Sequence, residues 1–291
     1  MKCRLCGLAK VGVAYEGPIR KGGPESGVID GFRVYGCEGC GVEFLDPFPD
    51  DLGAFYEGEA YWTSRQGEVD ISALYKKFDV EQLEWFSRIG PACIREKRVA
   101  DFGCGTGLFL DLIQGLAHRT IGIEPGRFFG PHLNASGHEH HHCVEEVETE
   151  CIDVAVSFDT LEHLEDPKTT LHELHRCLVP GGRLYLGVPN REDFLTRLVP
   201  GYLSFFYHRS HLFYFRARTL VVLLEEAGFG EVHVSFFHKY DVMNLVKWAR
   251  DGSARGSDGD RVFDTDTEAS FRRHVERQGI SSHILVEAER T

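Results

Sequence analysis

The chain has 291 residues, 42% of them hydrophobic, and a formal net charge of −13. That length suits one large α/β domain with a small appendage, and no apolar run approaches the length of a membrane span. The start, Met1-Lys2-Cys3, does not read as a signal peptide, and the acid excess repels phosphate backbones, so a cytoplasmic protein without nucleic-acid or membrane partners is expected.

Four of the nine cysteines open the chain as two pairs, Cys3-x-x-Cys6 and Cys37-x-x-Cys40. Two such knuckles suit Zn²⁺ held tetrahedrally by four thiolates, with Gly7 and Gly41 giving the tight turns behind them. A redox pair would need only one C-x-x-C. Four thiolates leave no place for water, so the metal is expected to be structural and to stabilise a zinc ribbon over residues 1–50 that has too little core of its own. Residues 51–74 follow as a linker or lid bearing Phe55, Tyr56, Tyr61 and Trp62, which could cover a substrate or merely weld the ribbon to the rest. Cys93, Cys104, Cys143, Cys151 and Cys177 are scattered and read as small hydrophobes.

The next elements carry the strongest signal. Lys97-Arg98-Val99-Ala100 reads as a buried strand and Leu108 to Ile113 as the first turns of a helix. Between them lies Asp101-Phe102-Gly103-Cys104-Gly105-Thr106-Gly107, a turn whose glycines let backbone N–H groups approach a ligand. Thr120 to Ile123 predicts the next parallel strand, and Glu124 at its end suits a carboxylate that accepts both hydroxyls of a ribose. An anion at Asp101 would repel a phosphate but attract an amino or sulfonium group. His138-Glu139-His140-His141-His142 reads as an incidental cluster on a solvent loop, ahead of a third strand and adenine-side loop at Cys143 to Val147.

Downstream, Ile152 to Phe158 predicts the fourth strand, followed by Asp159-Thr160-Leu161-Glu162-His163-Leu164-Glu165-Asp166-Pro167. A helix over Thr169 to Cys177, the turn Leu178-Val179-Pro180-Gly181-Gly182 and a fifth strand over Leu184 to Pro189 come next. The D-x-G-x-G-x-G run, the acid at Glu124, the D-x-L-E-H-x-x-D-P block and the L-x-P-G-G turn together resemble the class I S-adenosylmethionine-dependent methyltransferases. The resemblance covers about residues 75 to 238 and the last strand. It implies a doubly wound, seven-stranded Rossmann-like sheet over residues 75–291, with S-adenosyl-L-methionine as cofactor. By that resemblance Asp101, Gly103, Cys104, Gly105 and Gly107 hold the methionine portion, and Glu124 the ribose. Pro125, Glu145, Phe158 and Asp159 complete the cofactor set on the adenine side and after the fourth strand.

Gly41-Val42-Glu43-Phe44-Leu45-Asp46-Pro47-Phe48-Pro49 and the aromatics after it are similar to the leader of zinc-bearing sugar and small-molecule C- and O-methyltransferases. His211-Leu212-Phe213-Tyr214-Phe215 looks like the E-H-L-x-Y-F signature of the same group, in which the Glu-His pair sits in the acceptor pocket. Ser210 stands where that family has Glu, and a hydroxyl cannot raise the pKa of an imidazole as a carboxylate does. His211 is the candidate general base, alone or with His208 or Tyr207. A core or helix-entry histidine is the plainer alternative. Glu162 and His163 are expected to orient the cofactor or cap a helix.

A helix is expected from Arg218 to Ala227 with Gly228 as its C-cap, then strands six and seven at Val232 to Phe237 and Ser282 to Ala288. The insertion between them, about residues 239–281, carries helices at Val242 to Ala249 and Glu268 to Arg277, joined by a polar link at Asp251 to Asp260. It could cap the pocket or make a homodimer. The expected activity is methyl transfer to a small molecule, with a sugar or nucleotide-linked sugar first and natural-product scaffolds next. The rivals are a protein or nucleic-acid methyltransferase that uses the ribbon as a reader, and a cofactor-binding regulatory protein without turnover.

Overall fold

The computed structural model describes residues 1–22, 27–50, 70–254 and 262–291. The aromatic segment around Phe55, Tyr56, Tyr61 and Trp62, with most of the expected 51–74 linker, lies outside them, as does much of the link before Asp260. Five strands occupy the amino-terminal part: β1 (Val11–Glu16), β2 (Ile19–Arg20), β3 (Val28–Ile29), β4 (Arg33–Cys37) and β5 (Glu43–Asp46). The helix α1 (Ile71–Ile89) follows, its first turn capped by Asp70, whose carboxylate accepts the Ala73 N–H at 3.0 Å.

Then β6 (Arg98–Phe102), α2 (Leu108–Ile113), β7 (Arg119–Ile123), α3 (Phe129–Ala135), β8 (Glu139–His141), β9 (Ile152–Phe158), α4 (Pro167–Cys177) and β10 (Leu178–Pro189) alternate along the chain. The remainder comprises α5 (Leu195–Leu198), α6 (Tyr202–Phe206), β11 (Phe213–Tyr214), α7 (Ala217–Glu226), β12 (Phe229–Phe237), α8 (Val242–Asp251), α9 (Thr265–Arg277) and β13 (His283–Arg290).

Seven strands form one sheet in the order β12-β13-β10-β9-β6-β7-β8. The five from β6 to β10 run parallel, while β13 is antiparallel to both β10 and β12. Successive side chains of a strand face opposite sides, so both layers of helices read their core from the same strands. Val99, Val154, Val156 and Tyr185 pack with Trp85 of α1 and Phe109 of α2 on one face. Ala100, Ala155, Leu184 and Leu186 pack with Leu171 of α4 and Leu220 of α7 on the other. The strand order reverses between β6 and β9, which opens the usual ligand crevice of an open α/β sheet at their carboxyl ends. The doubly wound seven-stranded arrangement is the one expected from the sequence.

The third strand is displaced from its expected place. β8 occupies Glu139–His141 and pairs with β7 from Ile121↔Glu139 to Ile123↔His141, while residues 144–146 form a single 3₁₀ turn. β8 is the sheet edge, where polar side chains can face water along the strand. His138 before it is buried, with Nδ1 2.8 Å from Thr120 Oγ1 and Nε2 2.9 Å from Asp111. The histidine run is therefore a packed strand and its anchor, not a solvent loop.

The ribbon strands share a sheet with the main body, in the order β1-β4-β5-β11. β11 comes from the segment ahead of α7 and pairs Phe213↔Phe44 and Tyr214↔Glu43. Arg20 of β2 forms a parallel bridge with His208, donating its N–H to Tyr207 O and accepting the Arg209 N–H, both at 2.9 Å. Glu43, 4% exposed, ties the two parts together by accepting from Tyr207 Oη at 2.7 Å, from Arg216 at 3.0 Å and from Arg191. Among the described residues no helix is long and apolar enough to cross a membrane.

Candidate active site

The carboxyl ends of β6 and β9 open onto a cavity of about 660 Å³. Its floor is the glycine turn. Gly103 donates its N–H to Ile123 O at 2.9 Å, which ties the turn to the end of β7. Gly103 has φ +80°, and a Cβ there would collide with the Thr160 side chain, so only glycine fits without strain. Gly103, Cys104, Gly105 and Thr106 line the cavity, whereas Gly107 begins α2 and packs against Leu133 and His138 instead.

Glu124 is 5% exposed and aimed back at this turn. Its Oε2 accepts the Gly105 N–H at 3.0 Å and its Oε1 the Gly126 N–H at 2.8 Å. Each oxygen keeps a second lone pair for a ligand hydroxyl. Asp101 sits beside it, 5% exposed, and burial together with the Glu124 charge pushes its carboxyl up to about 8. Burial likewise holds the Cys104 thiol well above its ordinary value, with Asp101 and Glu124 adding to the effect. Of the remaining expected cofactor contacts, Phe158 and Asp159 line the cavity, while Pro125 and Glu145 are exposed and are not among its lining residues.

Phe158 is stacked on Trp85 with centroids 4.6 Å apart and an interplanar angle of 6°, which fixes α1 over the crevice. Asp159 follows in a left-handed backbone conformation, φ 49°, uncommon for a residue with a side chain. Burial pushes its carboxyl up, but His283 at 3.5 Å, Lys239 and His163 outweigh that and leave it lowered. Lys239 in turn pairs with Glu81 of α1 at 2.9 Å.

The far wall carries the histidines. The backbone O of Glu162 accepts the Leu212 N–H at 2.7 Å, stitching the turn after β9 to the segment before β11. This brings Glu162, His163 and His211 together, with one carboxylate oxygen and one nitrogen of each ring all within 4.8 Å. The His163 and His211 rings meet edge to face at 4.6 Å. His208 lies against His211 at 4.8 Å, but both its nitrogens are engaged: Nε2 contacts Gly22 O, and Nδ1 accepts the Ser210 N–H at 3.0 Å. Burial lowers all three imidazoles, His163 to about 4, His208 to about 3 and His211 well below its usual range. Tyr202, Phe205, Phe206, Tyr240 and Trp248 supply an aromatic side to this end, and Arg20 reaches in from β2 with its guanidinium 4.5 Å above Phe205.

Five residues that line the cavity, Arg20, Glu162, Lys239, Tyr240 and Trp248, were not among the expected catalytic or cofactor-binding residues. Arg20 had no signal, because only the β2–His208 bridge brings it here. Lys239, Tyr240 and Trp248 come from the 239–281 insertion and line the cavity. Glu162 carried a usable signal, a carboxylate next to a histidine at the end of a central strand.

At the other end of the chain, Cys3, Cys6, Cys37 and Cys40 converge, with Sγ atoms all within 4.8 Å of one another. Cys3–Cys40 is 3.8 Å and Cys6–Cys37 is 3.6 Å. A tetrahedron with metal–sulfur bonds of about 2.3 Å has edges of about 3.8 Å, so the spacing fits zinc, and disulfides at about 2.0 Å are excluded. Gly7 and Gly41, at φ +75° and +79°, return their N–H groups to Cys3 O and Cys37 O at 2.9 Å and form the two knuckles.

A protein family described as a methyltransferase domain matches residues 74–234, more than half of the chain. The chain is 33% identical over 163 residues to a probable S-adenosylmethionine-dependent methyltransferase of Mycolicibacterium smegmatis, matching 53% of this chain and 60% of that protein. It is 25% identical over 175 residues to the ubiquinone biosynthesis O-methyltransferase of Salmonella newport, matching 52% of this chain and 69% of that one. Among solved structures, a SAM-dependent methyltransferase of Archaeoglobus fulgidus superposes with a TM-score of 0.53 at 18% identity, covering 75% of this chain and 98% of its own, a likeness of fold alone. With the nucleoside-sized crevice, the glycine turn and the acid after β7 in the order the family requires, the chain belongs to the class I S-adenosylmethionine-dependent methyltransferases.

Proposed function

We propose that the protein transfers a methyl group from S-adenosylmethionine to a small molecule, with a sugar or nucleotide-linked sugar the first class to test and natural-product scaffolds the second. The observation that carries this reading is the single cavity running from the glycine turn to the Glu162–His163–His211 wall, large enough for a cofactor and a compact acceptor. In this reading Glu124 takes the ribose, and Asp101 and the turn from Gly103 to Gly105 hold the methionine end. The methyl group then faces the aromatic side of the cavity. Proximity and orientation supply most of the rate, since the cofactor is already an activated methyl donor.

The acceptor's reacting atom meets His211, whose ring faces the cavity, while His208 braces the segment behind it. The net charge of −13 argues against a nucleic-acid acceptor. The four thiolates are read as a structural zinc site, which suits a protein of the reducing cytoplasm.

The test is transfer of labelled methyl from S-adenosylmethionine to panels of sugars, nucleotide sugars, phenols, protein and RNA. Label in a small molecule supports the reading. Label confined to protein or RNA refutes it.

A further inference from the structure

A hydroxyl acceptor must lose a proton as it is methylated, and the far wall offers four groups to receive it: Glu162, His163, His208 and His211. His208 has no nitrogen to spare. Glu162 differs from all three imidazoles. It is 1% exposed, it lines the cavity, and neither carboxylate oxygen makes a hydrogen bond among the described residues. His163 Nε2 lies 3.9 Å from Oε1, too far for a hydrogen bond. A buried carboxylate left without a partner is expensive, and such exceptions mark places where a ligand completes the set. The backbone on this side is rigidly tied, by the central strand β9 before the turn and by the Leu212 N–H on Glu162 itself.

The geometry points to Glu162 as the catalytic residue that receives the acceptor's proton, supplying from the turn after β9 the carboxylate that is absent at position 210. This rests on the proposed transfer to a hydroxyl-bearing small molecule. In the step, a lone pair on the acceptor oxygen forms the O–CH3 bond as the S–CH3 bond breaks, and that bonding pair stays on sulfur as the neutral thioether product. The acceptor's O–H proton passes to a carboxylate oxygen of Glu162, and the O–H pair remains on oxygen. His163 and His211, neutral in this setting, orient the hydroxyl toward it. Burial raises the Glu162 carboxyl well above its ordinary range, with Asp159 adding to the effect, and it lowers the imidazoles. In its ionised form a carboxyl so raised is a stronger base than an ordinary carboxylate.

The aromatic side of the cavity suits flat rings, so two phenols serve as probes: 4-methylphenol, which keeps its proton near neutral pH, and 4-nitrophenol, assayed at a pH where it is already the phenolate. Zinc-loaded full-length protein and its Glu162→Gln variant are compared for methyl transfer to each. S-adenosylhomocysteine affinity and thermal stability are measured alongside. The expected result is a loss on the order of 10²-fold or more on 4-methylphenol, with 4-nitrophenolate changed only a few-fold and affinity and stability kept. Equal losses on both probes overturn the proposal, as does an undiminished rate on 4-methylphenol. Wild-type protein that binds S-adenosylhomocysteine yet methylates neither phenol also overturns it while leaving the cofactor site standing. Absence of cofactor binding in the wild type would instead refute the underlying function.

Discussion

Binding of S-adenosylmethionine at pH 7 should release most of a proton, and the source should be Asp101. The carboxyl lies at the end of a central strand, 5% exposed, and burial together with the Glu124 charge lifts it to about 8. In the free protein at pH 7 it is therefore roughly nine-tenths protonated. The cofactor brings a sulfonium and an ammonium, and a cation within a few ångströms favours the ionised form. A drop of two pKa units on binding leaves Asp101 about one-tenth protonated, so roughly 0.8 proton leaves per chain. The assay is calorimetric titration in two buffers of different ionisation enthalpy, which gives the proton count directly. The release should fade above pH 8, where the free protein is already ionised. The sign in stability is the corresponding one. The folded value is raised, so between about pH 4 and 8 the native state holds more protons than the unfolded chain, and stability falls as pH rises through that window. The bound cofactor offsets the loss. Asp101→Asn should abolish the release. A buffer-independent heat in the wild type, or an Asn variant that releases as much, would refute the reasoning.

Three further outcomes follow from the geometry. Chelation of the zinc-loaded protein should strip hydrogen-exchange protection from β1, β4 and β5 and from β11, which pairs with β5, while β6, β9 and β10 stay protected. Protection unchanged at β11 would show that the ribbon does not support the acceptor wall. Glu43→Ala leaves Arg191 and Arg216 without their shared carboxylate and should cost about 3 kcal/mol in denaturant unfolding; a change below about 0.5 kcal/mol would mean the cluster is solvated like a surface pair. Gly103→Ala forces a left-handed backbone and a clash with Thr160, and should lower stability by about 1–3 kcal/mol while weakening S-adenosylhomocysteine at least tenfold. Wild-type affinity in that variant would contradict the placing of the cofactor on the turn.

The sheet was legible because its strands announce themselves twice, by apolar runs such as Ile152 to Phe158 and by the glycines and prolines that end them. The two cysteine knuckles were legible for the same reason, since cysteine spacing is local information. What the sequence hid is non-local. β8 is rich in histidine and looks like solvent loop, yet edge position and the His138 anchor make it a strand. The pairing of β5 with β11 joins the ribbon to the segment that carries His211, and no periodicity in either segment says which partner it takes. His208 and His211 were singled out on a segment that resembles a family signature, but only the contacts to Gly22 and Ser210 show that both nitrogens of His208 are engaged. Glu162 was visible as a residue and invisible as a partner of His211, because forty-eight positions of chain lie between them.

Glu124, whose carboxylate accepts from Gly105 and Gly126, is the residue proposed to hold the ribose. The measurement is calorimetric titration of zinc-loaded protein with S-adenosylhomocysteine, wild type against Glu124→Ala. Micromolar binding in the wild type that the substitution abolishes, with the fold intact by circular dichroism, is the predicted result. Equal affinity in the two proteins would place the nucleoside elsewhere and contradict the site described.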